Sequence, residues 1–262
     1  MRVASLGHAA FALNMVVLGI LGLINPDYAA VWHPVPIGVP AHTLLGYVFS
    51  LLSLACGIGL LWRRAAAPAA RVLLAYLLIW SLLVSLPGIV SAHAAFCSCY
   101  GIAEPAVMLA AAWVLYPWFA SDWDRRSLSF ATGPRGLRIA RVLFGLALIY
   151  FGLGHIFFVK ETASGVPAWL PWHTAWAYLT GGAFIAAGLA ILVGVYARLA
   201  ATLSALQIGL FVLLVWVPIV AAAGHKTAFQ WSETVISAAL TAGAWVVADS
   251  YRGIPWLAVN TR

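Results

Sequence analysis

The chain is a succession of apolar runs, each about as long as a helix must be to cross the hydrocarbon core of a bilayer, separated by short segments that hold most of its arginines. Eight runs qualify, at about 9–24, 43–62, 72–92, 106–119, 139–158, 174–196, 199–223 and 232–250. They are apolar throughout, not at alternate positions, so they do not read as strands of a membrane barrel. Only 8% of the 262 residues are charged and 64% are hydrophobic, whereas soluble domains run near roughly 25% charged. A soluble globule is excluded. The expected fold class is an all-α integral membrane protein with eight transmembrane helices. The formal charge of +7 does not point to nucleic acid, because the basic residues are spread over the loops and form no dense stripe. The expected partner is the lipid bilayer.

One pattern occurs twice. V-P-x-x-(V/L)-P-x-H-T-x-x-x-Y runs from Val35 to Tyr47 and again from Val166 to Tyr178, an offset of 131 that also carries Gly57 onto Gly188 and Pro87 onto Pro218. This is the mark of a tandem duplication. The first apolar run follows Arg2 and could pass for a signal peptide, but its counterpart lies mid-chain, so it is kept as helix 1. Residues 1–120 and 139–262 are expected as two four-helix repeats. Between them, 121–138 is a polar linker holding Asp122, Asp124, Arg125, Arg126, Arg135 and Arg138 beside Gly133-Pro134.

All Lys and Arg except Lys160 and Lys226 fall on the side of the linker and the termini. The positive-inside rule puts that side in the cytoplasm, and four helices per repeat make the two repeats parallel. A bacterial-type cytoplasmic (inner) membrane is the expected location. Pro87 and Pro218 free a carbonyl at matching depths, Gly19, Gly22, Gly57, Gly145, Gly152, Gly154 and Gly188 suit close helix packing, and tryptophans near helix ends suit interfacial belts.

This orientation gathers every histidine except His8 at the outer face. Histidine exchanges protons near neutral pH and binds transition metals, although interfacial histidines also meet head groups or cap helices without chemistry. Thr43 and Thr174 are expected N-caps. His42 and Tyr47 in the first copy of the motif are ligand-binding candidates, and His173 and Tyr178 in the second are catalytic ones, with the tyrosines about one turn deep. His155, between Gly152-Leu-Gly and Ile-Phe, is the leading candidate, because an ionisable group within a span is costly unless used. Its first-half counterpart is taken as Leu23. Glu233, a catalytic candidate, and Glu104, a ligand-binding one, open helices 8 and 4, where a carboxylate also simply complements the helix dipole. His225, a further ligand-binding candidate, lies in the outer loop before helix 8.

Cys97-Ser-Cys99 has no counterpart in the second half. Cysteines at i and i+2 form a strained, reducible disulfide suited to redox work, and with His93 they could hold a soft metal instead. Cys56, inside an apolar run, reads as packing. H-E-x-x-H, C-x-x-C-H, P-loop and dinucleotide fingerprints are absent.

The second half resembles the DoxX-like family of four-helix membrane proteins. The resemblance rests on Gly145, Gly152-Leu-Gly-His155-Ile-Phe, Val166-Pro-Ala-Trp-Leu-Pro171, Tyr178-Leu-Thr-Gly-Gly, Gly188-Leu and Arg198-Leu-Ala-Ala, over about 138–249. It implies a helical bundle and a link to quinone-coupled oxidation of sulfur compounds, thiol or oxidative stress, or metal stress. Many members carry an acid early in the second helix, where this chain reads Thr180-Gly-Gly-Ala-Phe184, so a proton relay through that acid is not expected.

The expected function is a membrane subunit of a quinone-linked oxidoreductase acting on a thiol or sulfur-type donor at the outer face, with quinone as cofactor. A soluble or periplasmic redox partner would deliver the donor's electrons. A second reading is a non-catalytic anchor, assembly factor or binder of a lipid-like small molecule. A third is periplasmic copper or other metal handling through Cys97, Cys99 and His93, and a haem held between histidines is a fourth.

Overall fold

A computed structural model describes residues 4–26, 28–29, 33–34, 41–82, 100–222, 224 and 228–259. Its helices are α1 (Leu6–Ile24), α2 (His42–Leu61), α3 (Ala66–Trp80), α4 (Tyr100–Phe119), α5 (Asp122–Ser127), α6 (Ser129–Thr132), α7 (Pro134–Phe157), α8 (Val159–Ser164), α9 (His173–Val193), α10 (Ala197–Phe211), α11 (Val217–Ala221) and α12 (Ala228–Asp249). A π-helical turn, Val212–Trp216, joins α10 to α11 in one continuous rod. The same winding begins at residues 81–82, directly after α3. Tyr28–Ala29 pairs antiparallel with His33–Pro34 in the loop after α1.

Local chemistry accounts for most boundaries. Pro134 opens α7 at a position where its missing N–H costs nothing, and Gly194 closes α9 in the left-handed region at φ 83°. The linker is not an open loop. Ser121 and Asp124 form a reciprocal capping box that starts α5, and α6 follows within two residues. The expected threonine caps are not used. α2 and α9 begin at His42 and His173, one residue before Thr43 and Thr174, and the capping positions are Ala41 and Trp172, both left-handed at φ 56° and 57°. Neither residue has a side-chain oxygen to offer, and a left-handed cap lacks the extended geometry that side-chain capping needs.

Five helical stretches among the described residues are long and apolar enough to cross a membrane: Leu6–Ile24, His42–Leu61, Pro134–Phe157, His173–Val193 and Ala197–Ala221. Along one side of the last, Leu203, Leu206, Leu210 and Leu213 are 52%, 56%, 40% and 63% exposed, a stripe that only lipid covers comfortably. The centre belongs to α4 and α12, which pack on each other. From Val107 to Tyr116 α4 is buried on all sides, and its alanines let neighbours come close. α4 also packs on α3 and α7, while α12 packs on α10 and α1. Each of the two central helices therefore bridges the halves.

The closest contacts repeat. A Cβ built on Gly57 of α2 would lie 2.7 Å from the Ala12 carbonyl oxygen of α1, and one on Gly188 of α9 would lie 2.5 Å from that of Gly145 in α7. Gly19 meets Leu54 as Gly152 meets Ile185. Positions in α2 and α9 thus correspond at an offset of 131, but those in α1 and α7 correspond at 133 (Gly19 to Gly152). The reason is the connection, which spans residues 25–41 in the first half and the shorter 158–172 in the second. His155 therefore corresponds to Gly22 and not to Leu23.

These crossings predict a matched pair of results. Gly188→Ala should force α7 and α9 apart and destabilise the protein by about 1–3 kcal/mol. Gly182→Ala, on the same helix with nothing within 4 Å of the added carbon, should leave stability unchanged or slightly raised. Thermal unfolding of the detergent-purified variants reads the difference directly.

Candidate functional site

His155 stands near the end of α7, at the crossing with α9. Its Nδ1–H donates to the Phe151 carbonyl oxygen at 2.8 Å, which fixes the tautomer and leaves Nε2 with a lone pair. The ring lies nearly parallel to Phe211 of α10, with centroids 5.8 Å apart at 23°, and meets Phe184 of α9 edge-on at 5.5 Å. Gly181 makes this seat, since a Cβ there would come within 2.9 Å of the His155 Cβ. One turn before Phe211, Gln207 donates from Nε2 to the Thr180 carbonyl oxygen at 3.0 Å, next to Gly181. That leaves the amide a second N–H and its own oxygen. His155, Gln207 and Phe211 are all only half-buried.

The corresponding place in the first half is filled differently. Gly22 stands for His155, Phe49 for Thr180, Ser53 for Phe184, Tyr76 for Gln207 and Trp80 for Phe211. Ser53 and Tyr76 share a 2.8 Å hydrogen bond, and Phe49 meets Trp80 edge-on at 4.9 Å. Ser53, Tyr76 and Trp80 are 1%, 4% and 1% exposed, so this cluster is sealed, and the Ser53 and Tyr76 hydroxyls are spent on each other.

The hydrogen bond and ring contacts of His155 are made with Phe151, Phe184 and Phe211, not with the other sequence candidates. His173 is the first residue of α9 and half-buried, and Tyr178 and Tyr47 are 50% and 41% exposed. His42 Nε2 lies 3.3 Å from the Thr43 hydroxyl. Glu104 on α4 and Glu233 on α12 are half-buried. None of these takes part in the ring contacts around His155. Cys97, Cys99, His93 and His225 lie outside the described residues. Among the described residues no group of histidine, cysteine and carboxylate side chains is placed to hold a metal ion.

Sequence reasoning passed over a second polar centre, at the linker end. Asp124 of α5 is fully buried. It accepts from Arg71 Nε and Tyr116 OH at 2.7 Å each, and from the Ser121 N–H and hydroxyl at 2.8 and 2.6 Å. Arg71 also lies over the Trp123 ring, 4.7 Å from its centroid. The Ser121-x-x-Asp124 spacing was the available signal. At the same end His8 is fully buried, its Nε2–H donating to the Leu60 carbonyl oxygen at 3.1 Å. Asp249 pairs with Arg252 at 2.8 Å through one oxygen, while the other is buried without a hydrogen bond beside Gly7.

Apolar spanning helices, a lipid-facing leucine stripe and polar clusters confined to the bundle define an α-helical, multi-pass membrane protein. No protein-family model, no curated protein and no solved structure matches the chain.

Burial alone would raise the Asp124 carboxyl, but the hydrogen bonds from Arg71, Ser121 and Tyr116 outweigh it and hold the group well below the usual carboxylate range. A depressed folded value means that the carboxylate's contribution is complete above the unfolded value, about pH 4, and is lost as pH falls through the folded value below it. Asp124→Ala should cost about 2–3 kcal/mol at neutral pH, because it strands Arg71 and Tyr116. Unfolding curves for the two proteins should converge as the pH drops below about 4.

Proposed function

We propose that the chain is the membrane subunit of a quinone-linked oxidoreductase, binding the quinone head between α7, α9 and α10 at His155. The observation that carries this reading is the contrast between the halves. Equivalent positions are sealed and self-satisfied in the first half, but half-buried in the second, with unspent hydrogen-bonding capacity on His155 and Gln207. The residues fit the group. Phe184 and Phe211 offer aromatic surface to a planar ring, Nε2 accepts a hydrogen bond from a hydroxyl, and the free N–H of Gln207 can donate to a carbonyl. The bound quinone would supply the two-electron chemistry. Nε2, with its free lone pair, would be the atom that takes up and returns a proton beside it. The resemblance of residues 138–249 to DoxX-like proteins supports the same reading, and a thiol or sulfur compound is the donor it suggests.

In this reading eight helices cross a bacterial-type inner membrane as two parallel four-helix repeats. Both termini lie in the cytoplasm, and a periplasmic or soluble partner delivers electrons at the outer face. The arginine-rich linker end and the repeated α1–α2 and α7–α9 crossings support that orientation. Cys97 and Cys99 would then face the outer compartment and receive the donor's electrons. An impermeant maleimide added to intact cells should label Cys97 or Cys99 without labelling Cys56, which is 3% exposed in the core.

Protein purified in mild detergent should retain an extractable quinone. His155→Phe should lower its occupancy about five- to tenfold, whereas Tyr76→Phe, at the position corresponding to Gln207, should leave it unchanged. A preparation that carries no quinone, and whose addition leaves quinone reduction by thiols unaltered, would count against the proposal. The non-catalytic alternative would show retention of a lipid-like molecule with no effect of His155→Phe on turnover.

A further inference from the structure

The end of the bundle that carries α5 and α6 exposes charge of nearly one sign. Asp124 and Asp249 are buried, and each already holds an arginine, Arg71 and Arg252 respectively. Arg63 and Arg64, in the turn after α2, and Arg125 and Arg126, on α5, are exposed. Against them, Asp122 is the one exposed carboxylate at this end among the described residues. Arg125 and Arg126 each give one N–H to a backbone oxygen, of Pro117 and Asp122, and keep the remainder of the guanidinium free to donate.

Two tryptophans stand among these arginines, Trp62 at 61% exposure and Trp123 at 52%. Trp62 caps α2, a membrane-crossing helix, so this surface lies where the chain leaves the hydrocarbon. The surface is also built, not loose. Arg71 holds the Asp124 carboxylate and the Trp123 ring, and the capping box fixes the start of α5. Trp123, Arg125 and Arg126 therefore project from a short helix locked to α3 and α4.

We propose that this ledge binds the headgroups of anionic phospholipids in the facing leaflet. Arg63, Arg64, Arg125 and Arg126 engage phosphate oxygens, which planar guanidinium forks match geometrically, and Trp62 and Trp123 sit at the level of the glycerol backbone. The inference needs only that this end meets a bilayer face. It does not rest on the role of His155.

Native mass spectrometry of the delipidated, full-length protein, titrated with phosphatidylglycerol or phosphatidylcholine, tests it. Phosphatidylglycerol adducts should exceed phosphatidylcholine adducts by about tenfold, and the preference should shrink as ionic strength rises. The variant carrying Arg63→Gln, Arg64→Gln, Arg125→Gln and Arg126→Gln together should bring the two lipids near parity, with an unchanged melting temperature because all four side chains are exposed. Equal retention of both lipids by the unaltered protein, or a preference that survives the four substitutions, would overturn the proposal. So would soluble glycerol phosphate binding as tightly as the lipid, since the partner would then not be a bilayer.

Discussion

Main chain meets main chain where α1 crosses α2 and where α7 crosses α9, and the rest of the bundle is arranged around that approach. In lipid no hydrophobic force draws one apolar helix to another, so the attraction must come from dispersion and from weak Cα–H···O contacts, which only a short interaxial distance allows. Gly57, Gly145, Gly152 and Gly188 permit that distance because a Cβ at any of them would press on the neighbouring helix. The same contact shapes the candidate site. Gly181 lies against the Cβ of His155, and a side chain there would push the imidazole off Phe184 and Phe211. Packing and site are one construction at this crossing.

The α1–α2 and α7–α9 crossings are alike in their glycine contacts and unlike in the side chains around them. In the first half Trp80 and Tyr76 fill the space beside α2 and are themselves almost completely buried. In the second half Phe211 and Gln207 are smaller or more polar at the same places, and His155 replaces a glycine. His155 and Gln207 each make one hydrogen bond to a backbone carbonyl and keep further hydrogen-bonding groups, whereas the Ser53 and Tyr76 hydroxyls satisfy each other.

Much of this was legible in the sequence, and the gaps have physical causes. The apolar runs and the doubled V-P motif gave the helices, because length and continuity of hydrophobicity dominate helix placement in lipid. The threonine caps were misread because Ala41 and Trp172 adopt a left-handed backbone that no local preference announces. His155 was matched to the wrong residue because the loop beside it differs in length between the halves. Gln207 was overlooked as a lone amide in an apolar run, although an amide at that depth is itself a signal. Asp124 was read only as part of a polar linker, when the residues around it spell a helix start.

At the linker end, arginines at non-corresponding positions make similar ties. Arg71 near the start of α3 holds Asp124 and stacks on Trp123, while Arg198 at the start of α10 donates to the Ile254 carbonyl oxygen at 2.7 Å and stacks on Trp256 at 4.0 Å. The two do the same work, tying the segment after a central helix to the helix before it. Yet the offset of 131 that relates α3 to α10 would pair Arg71 with Thr202, one turn beyond Arg198. Arg141 adds a third such tie, lying 3.9 Å over Tyr251 and donating to the Ser250 hydroxyl. Guanidinium thus meets an aromatic ring from different turns of the helix. What recurs is the physical requirement: at the edge of the bilayer a cation must be solvated, and a ring with a carbonyl or carboxylate beside it does that while fastening the chain.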